Sequence, residues 1–225
     1  MRQLVLDIIP GDPPRLDDFV VGRNAEVVDT LSRWVDAREE ERFVYLWGEP
    51  GAGKTHLLRS LAPHRYVACS PALCLHPDPH PLLLVDDVAR LSPQGAESLF
   101  HRFNERRDEG ARLLVSGPCP PSQLPLLPDL STRLGWGLVL RLHPLDDEEK
   151  LAALHQRAAR FGLTLSSDAA QYILNHWARD MGSLFSLLHE LNRWSLSLHR
   201  PTISIPLVKQ ALAVLQFHSV PPQCD

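Results

Sequence analysis

The sequence predicts an α/β fold, a parallel sheet flanked by helices, followed by a small all-α unit. Three observations carry this. Gly48-Glu49-Pro50-Gly51-Ala52-Gly53-Lys54-Thr55 joins an apolar run to a helix-forming run. Leu82-Leu83-Leu84-Val85-Asp86-Asp87 is a continuous apolar run ending in two acids, the pattern of a strand buried on both faces of a parallel sheet. After Pro144 helix signals succeed one another with no strand signal of similar weight.

Taken in order, Met1 to Pro14 read as a short tail ending in Gly11-Asp12-Pro13-Pro14, where proline stops regular structure. Asn24 is expected to cap an amphipathic helix reaching Arg38, with Val27, Val28, Leu31, Trp34 and Val35 on one face. Phe43 to Trp47 predicts a strand, Lys54 to Leu61 a helix, and Tyr66 to Cys69 a second, short strand. Past the acidic strand end, Pro93 opens a long helix to Glu109, and Arg112 to Val115 and Leu138 to Leu142 supply the remaining strands. Asp146 with Glu149 predicts a capping box opening a helix to Phe161. Further helices are expected from Ser166 or Ser167 through Trp177, from Asp180 to Leu198, and from Ile205 to Phe217. The expected division is a tail at 1–14, an α/β nucleotide-binding core at 15–143, a helical lid at 144–217 and a tail at 218–225.

Composition narrows the class. Hydrophobic residues at 44% and charged residues at 22% are those of an ordinary globular chain. A formal net charge of −4 gives no whole-surface attraction for nucleic acid, and sequence-specific DNA binding is not expected. Arg102, Arg106 and Arg107 alternate with Glu105, Asp108 and Glu109, which reads as a solvated helix face. The start lacks a secretory pattern and no apolar run is long enough to span a bilayer, so a cytoplasmic location is expected. Cys69, Cys74, Cys119 and Cys224 lack metal-ligand spacing and read as free thiols.

The chemistry lies in two motifs. In GxxxxGK[ST], glycines let backbone N–H groups turn toward phosphates, and the following helix presents its N-terminus to the same charge. The nucleotide-binding set is Gly48, Gly51, Ala52, Gly53, Lys54, Thr55 and His56. Lys54 is expected to reach the terminal phosphates and Thr55 to hold Mg²⁺. Asp86 ends the apolar strand where a carboxylate can share that Mg²⁺, and Asp87 is placed to polarise an attacking water.

An α/β core with both motifs and a helical lid resembles the AAA+ ATPases, and local strings resemble the DnaA-related branch of that family. Asp18-Phe19-Val20-Val21-Gly22 is similar to the segment that lies near the adenine, which implies contacts from Val20 and Val21. Leu130-Ser131-Thr132-Arg133-Leu134-Gly135-Trp136-Gly137 is similar to the box that carries the arginine finger, and so implies that Arg133 acts in trans. Asp180 to Leu191 and Thr202 to Leu212 resemble the last lid helices. The sequence ends at Asp225 without the helix-turn-helix domain of DnaA, which resembles the lid-only members of the family. Gln3-Leu4-Val5-Leu6-Asp7-Ile8 is similar to their clamp-binding peptide, with Gln3, Leu4, Leu6 and Ile8 as contacts.

The resemblance implies a replisome-associated regulator that binds ADP or ATP and Mg²⁺. Its expected partners are DnaA, the sliding clamp (β subunit of DNA polymerase III) and a second copy of itself as a homodimer. Its expected action is to stimulate hydrolysis of DnaA-bound ATP and so restrain initiation. Other readings are a helicase-loader-like or other replication adaptor, or a stand-alone P-loop ATPase.

Three departures bear on turnover. Pro118 stands where the family carries an aspartate after the fourth strand, leaving Ser116 as the nearby polar group. Gly182 stands at the place of a lid arginine, with Arg179 one turn away. The segment between the phosphate loop and Leu82 lacks the family's extra helix. Weak intrinsic hydrolysis is therefore expected, with the nucleotide mainly setting the angle between core and lid.

Overall fold

The computed structural model describes residues 14–76, 79–198 and 201–217. The chain divides into two compact units between Pro144 and Leu145.

In the first unit, five strands run β1 (Phe43–Trp47), β2 (Tyr66–Ala68), β3 (Leu82–Asp86), β4 (Arg112–Gly117) and β5 (Leu138–Arg141). They pair in parallel in the order β2-β3-β4-β1-β5. The helices are α1 (Ala25–Val35), α2 (Lys54–Leu61), α3 (Pro93–Glu109) and α4 (Pro128–Leu134). Alternate strand residues face opposite layers. Val44, Leu46, Leu84 and Leu114 pack with Leu31 and Trp34 of α1 and Leu57 and Leu58 of α2. Tyr45, Leu83, Val85, Leu113 and Val115 pack with Leu99 and Phe103 of α3 and Leu130 of α4. Burial on both faces is why the central strands read as unbroken apolar runs, each such side chain contributing about 1.5–3 kcal/mol.

Local signals set the ends of α3. The Ser92 hydroxyl accepts from the Gly95 N–H at 3.2 Å, Pro93 follows at the first helical position, and Gly110 closes the helix at φ 73°. Two of its arginines depart from the solvated-face reading, while Arg107 stays exposed beside Asp108. Arg102 and Arg106 are buried, Arg106 fully. Arg106 donates to the His80 carbonyl and Arg102 to the Glu105 carboxylate. Long aliphatic stems let such residues pack inside while the guanidinium finds a partner. The Ser98 hydroxyl of α3 also accepts from the Leu75 N–H at 2.9 Å and donates to its carbonyl at 3.2 Å, holding in place the chain that follows β2.

Two other expectations change. Asn24 does not cap α1: its side chain makes no cap hydrogen bond and instead grips the His143 backbone. The helix also ends at Val35, earlier than predicted, with Ala37 in the left-handed region at φ 59°. The seven-residue α4 was not foreseen at all.

The second unit is helical: α5 (Asp147–Arg160), α6 (Ser167–His176), α7 (Met181–Leu198) and α8 (Ile205–Phe217). The capping box at α5 is complete, Glu149 N–H donating to Asp146 at 2.9 Å and Asp146 N–H to Glu149 at 2.8 Å. Leu154, Ile173, Leu184, Leu188 and Val208 form the centre of its core. Two-residue strands without a sequence signal, β6 (Thr164–Leu165) and β7 (Thr202–Ile203), pair in parallel and tie the start of α6 to the start of α8. No helix among the described residues is long and apolar enough to cross a membrane.

Candidate functional site

The phosphate loop connects the C-terminal end of β1 to α2. Gly53 sits at φ 99° immediately before the helix, a conformation that L side chains avoid. A Cβ there would also lie 3.0 Å from the Phe19 ring. Gly48 is sterically fixed instead, since a Cβ would lie 2.3 Å from the Leu142 carbonyl oxygen at the end of β5. Gly51 is exposed and Ala52 buried beneath it in the α1/α2 core layer. The loop therefore offers its backbone outward on a packed base.

Lys54 and Thr55 open α2. Lys54 Nζ donates to the Gly48 carbonyl at 2.6 Å and the Glu49 carbonyl at 3.1 Å. Burial holds its pKa below the ordinary lysine value, with Asp86 and Asp87 pulling it back up. Thr55 Oγ1 donates to Asp86 Oδ2 at 2.6 Å. Asp86, only 3% exposed, accepts two further hydroxyls: Ser116 on Oδ1 at 2.5 Å and Tyr66 on Oδ2 at 2.9 Å. Three donors compensate a carboxylate that would otherwise be costly to bury. Asp87 turns into the left-handed region at φ 60°, and its N–H donates to Ser116 Oγ at 2.9 Å. Burial and Asp86 raise the Tyr66 phenol above its ordinary pKa, against the opposing pull of Arg59. Burial likewise pushes the neighbouring Cys69 thiol up to about 12, so it is no nucleophile at neutral pH.

The structure thus brings Lys54, Thr55, Asp86 and Asp87 together around the loop. Phe19 and His56 lie beside it with ring centroids 5.8 Å apart. Val20 and Val21 are half-buried just beyond Phe19, where the Asn24 N–H donates to the Val21 carbonyl at 2.9 Å. Asp86 and Thr55 suit Mg²⁺, a hard cation that takes one or two protein oxygens and keeps water for the rest.

Arg133 lies elsewhere, at the end of α4. Its guanidinium stacks on Phe100 at 4.4 Å and on Trp136 at 5.1 Å and donates to Asn104 Oδ1. Phe100 and Asn104 are one turn apart on α3, so the helix supplies a ready-made seat. Asp129, four residues earlier on the same helix, is not among those contacts. In the second unit, Asp180 Oδ1 accepts from the Ser183 N–H at 2.9 Å, and a Cβ on Gly182 would lie 3.3 Å from that oxygen. Arg179 pairs with Asp147, an engagement the sequence did not suggest. Gln3, Leu4, Leu6 and Ile8 lie outside the described residues.

Sequence reasoning missed Tyr66 and the Asn104–Phe100 seat. Tyr66 pairs in register with Leu84, two residues before Asp86, and only that register brings its hydroxyl to the carboxylate. An i, i+4 aromatic–amide pair on α3 was a signal, but only with a known partner for it.

The fold is shared with several solved structures. Domain III of the Thermotoga maritima replication initiation protein DnaA matches with a TM-score of 0.71 at 19% identity, over 89% of this chain and 95% of that one. AMPPCP-bound DnaA from Aquifex aeolicus matches at 0.67 and 16%, over 91% and 70%. The Thermotoga maritima RuvB Holliday junction branch migration motor matches at 0.64 and 21%, over 90% and 72%. Parallel sheet, flanking helices, phosphate loop and helical lid together make the architecture of an AAA+ P-loop fold. Residues 147–212 match the family described as Hda, lid domain. The second unit is thus similar to the Hda lid, and the fold of the chain is similar to that of DnaA domain III.

Proposed function

We propose that this protein binds an adenine nucleotide, ADP or ATP, with Mg²⁺ at the phosphate loop. We further infer that it acts as a regulator restraining replication initiation by promoting hydrolysis of DnaA-bound ATP. The carrying observation is the convergence of Lys54, Thr55 and Asp86 in a chain whose lid is of the Hda kind. Bound Mg²⁺ would supply positive charge to the phosphates. Lys54 binds the same phosphates, Thr55 and Asp86 hold the ion, and Phe19 and His56 border the nucleotide beside Val20 and Val21. Asp87 is the residue available to polarise water. Turnover within the chain is weak, because Pro118 offers no side-chain polar group after β4 and Gly182 offers none at the lid.

Arg133 is the residue that acts in trans, placing its charge against the transition state in the partner's site. Gln3, Leu4, Leu6 and Ile8 dock the chain on the sliding clamp, and a homodimer is the form that stores it. This places the protein in the cytoplasm at the replisome.

Arg133→Ala tests the reading. Loss of stimulated DnaA ATPase by about three orders of magnitude, with clamp pull-down unchanged, is expected. Retained stimulation would refute the role of Arg133. A protein that purifies without nucleotide and binds none would refute the nucleotide site. Clamp binding that survives deletion of residues 1–9 would favour a different replication adaptor.

A further inference from the structure

We propose that Tyr66 is a positioning residue of the phosphate site, its phenol fixing the Asp86 carboxylate in the orientation from which it serves Mg²⁺ together with Thr55. The inference rests on the nucleotide reading above and adds to it a residue outside both sequence motifs.

The hydrogen bonds around Asp86 make the argument. Ser116 holds Oδ1, while Thr55 and Tyr66 share Oδ2. A threonine hydroxyl that turns its oxygen to a cation gives up its bond to the carboxylate. Ser116 alone would then hold one oxygen and leave the group free to rotate about Cβ–Cγ. A second donor on the other oxygen stops that rotation, and Tyr66 is the one present. Carboxylates that serve a metal are oriented by such outer partners, whose loss typically costs about 10–100-fold in metal affinity.

Packing alone does not call for a hydroxyl here. Tyr66 is half-buried at the start of a three-residue edge strand, where phenylalanine would cover the same area. Arg59 lies over the Tyr66 ring, the guanidinium 4.7 Å from the ring centre, and also engages the phenol. Arg59 is one turn beyond Thr55 on α2, so one helix carries both Thr55 and the clamp on the tyrosine that shares its acceptor. The arrangement closes a circuit from α2 through β2 to β3 and back.

Tyr66→Phe separates this role from simple packing. Binding of N-methylanthraniloyl-ADP is measured by fluorescence in EDTA and across a MgCl₂ titration, with a thermal melt alongside. In EDTA the variant should bind within about twofold of the parent. The MgCl₂ midpoint should rise about tenfold. Arg59→Ala should shift the midpoint in the same direction by less. An unchanged midpoint in Tyr66→Phe, or equal losses with and without Mg²⁺, would overturn the proposal while leaving the nucleotide reading intact. A parent protein whose binding ignores Mg²⁺ would overturn the proposal and the Mg²⁺ role of the site, whereas a parent that binds no nucleotide would overturn the reading beneath it.

Discussion

Asn24 and His143 stand 119 positions apart and exchange two hydrogen bonds, Asn24 Nδ2 to the His143 carbonyl at 2.9 Å and His143 N–H to Asn24 Oδ1 at 2.8 Å. The amide acts as an extra peptide unit, tying the start of α1 to the chain just past β5. It is 2% exposed, so its removal leaves both backbone groups short of partners. Asn24→Ala should destabilise the first unit by about 1–3 kcal/mol, read as a lowered denaturant midpoint. Asn24→Asp should cost more, since it sets an acceptor against the His143 carbonyl.

Gly117 ends β4 beneath Tyr45, whose hydroxyl donates to the Cys119 carbonyl at 2.8 Å. A Cβ at 117 would lie 2.0 Å from that hydroxyl oxygen. Gly117→Ala should cost about 1–3 kcal/mol by overpacking. Tyr45→Phe combined with it should recover part of the loss, and a double-mutant cycle by calorimetry would expose the coupling.

The seat of Arg133 makes a kinetic forecast. Two ring faces and one amide must release the guanidinium before it can reach a partner. Asn104→Ala removes the hydrogen bond, worth about 1 kcal/mol after allowance for partial exposure. Under the proposed function, stimulation of DnaA ATPase at limiting protein should then rise roughly fivefold. A fall would mean that Asn104 presents the arginine rather than retaining it.

Lys54 links nucleotide binding to pH. Its pKa in the folded protein lies below the ordinary value of 10.5. Between those two pKa values the unfolded chain binds more protons, so this residue's contribution to stability rises with pH. Phosphate favours the charged amine, so binding takes up a proton in that window and affinity falls as pH climbs through the folded-state pKa. Calorimetry in two buffers of different ionisation enthalpy should detect that uptake. Lys54→Arg should abolish it, because guanidinium does not titrate there.

Legibility followed the range of the interactions. β1, β3 and β4 announced themselves because burial on both faces leaves no polar positions, and the α5 capping box is complete within four residues. Asn24 misled because its side chain serves a carbonyl across the fold instead of the adjacent helix. Arg102 and Arg106 misled because charge pattern says nothing of where the aliphatic stem packs. The β6–β7 pair could not be read from two residues a side; its register joins Thr164 to Thr202. In the site, the motif residues were readable and their hydroxyl neighbours were half so: Ser116 lay beside the expected turn, whereas Tyr66 reached Asp86 only through strand register.

Both borders of the sheet are short, three residues in β2 and four in β5. Each carries open backbone groups that could recruit a stray strand from another molecule. The brevity of each border limits such a contact to a few hydrogen bonds. On β5 the exposed Val139 is followed two places on by Arg141, which puts a charge on the same face of the strand. Molecules crowded together thus have little to zip along, and this sheet stays finite at five strands.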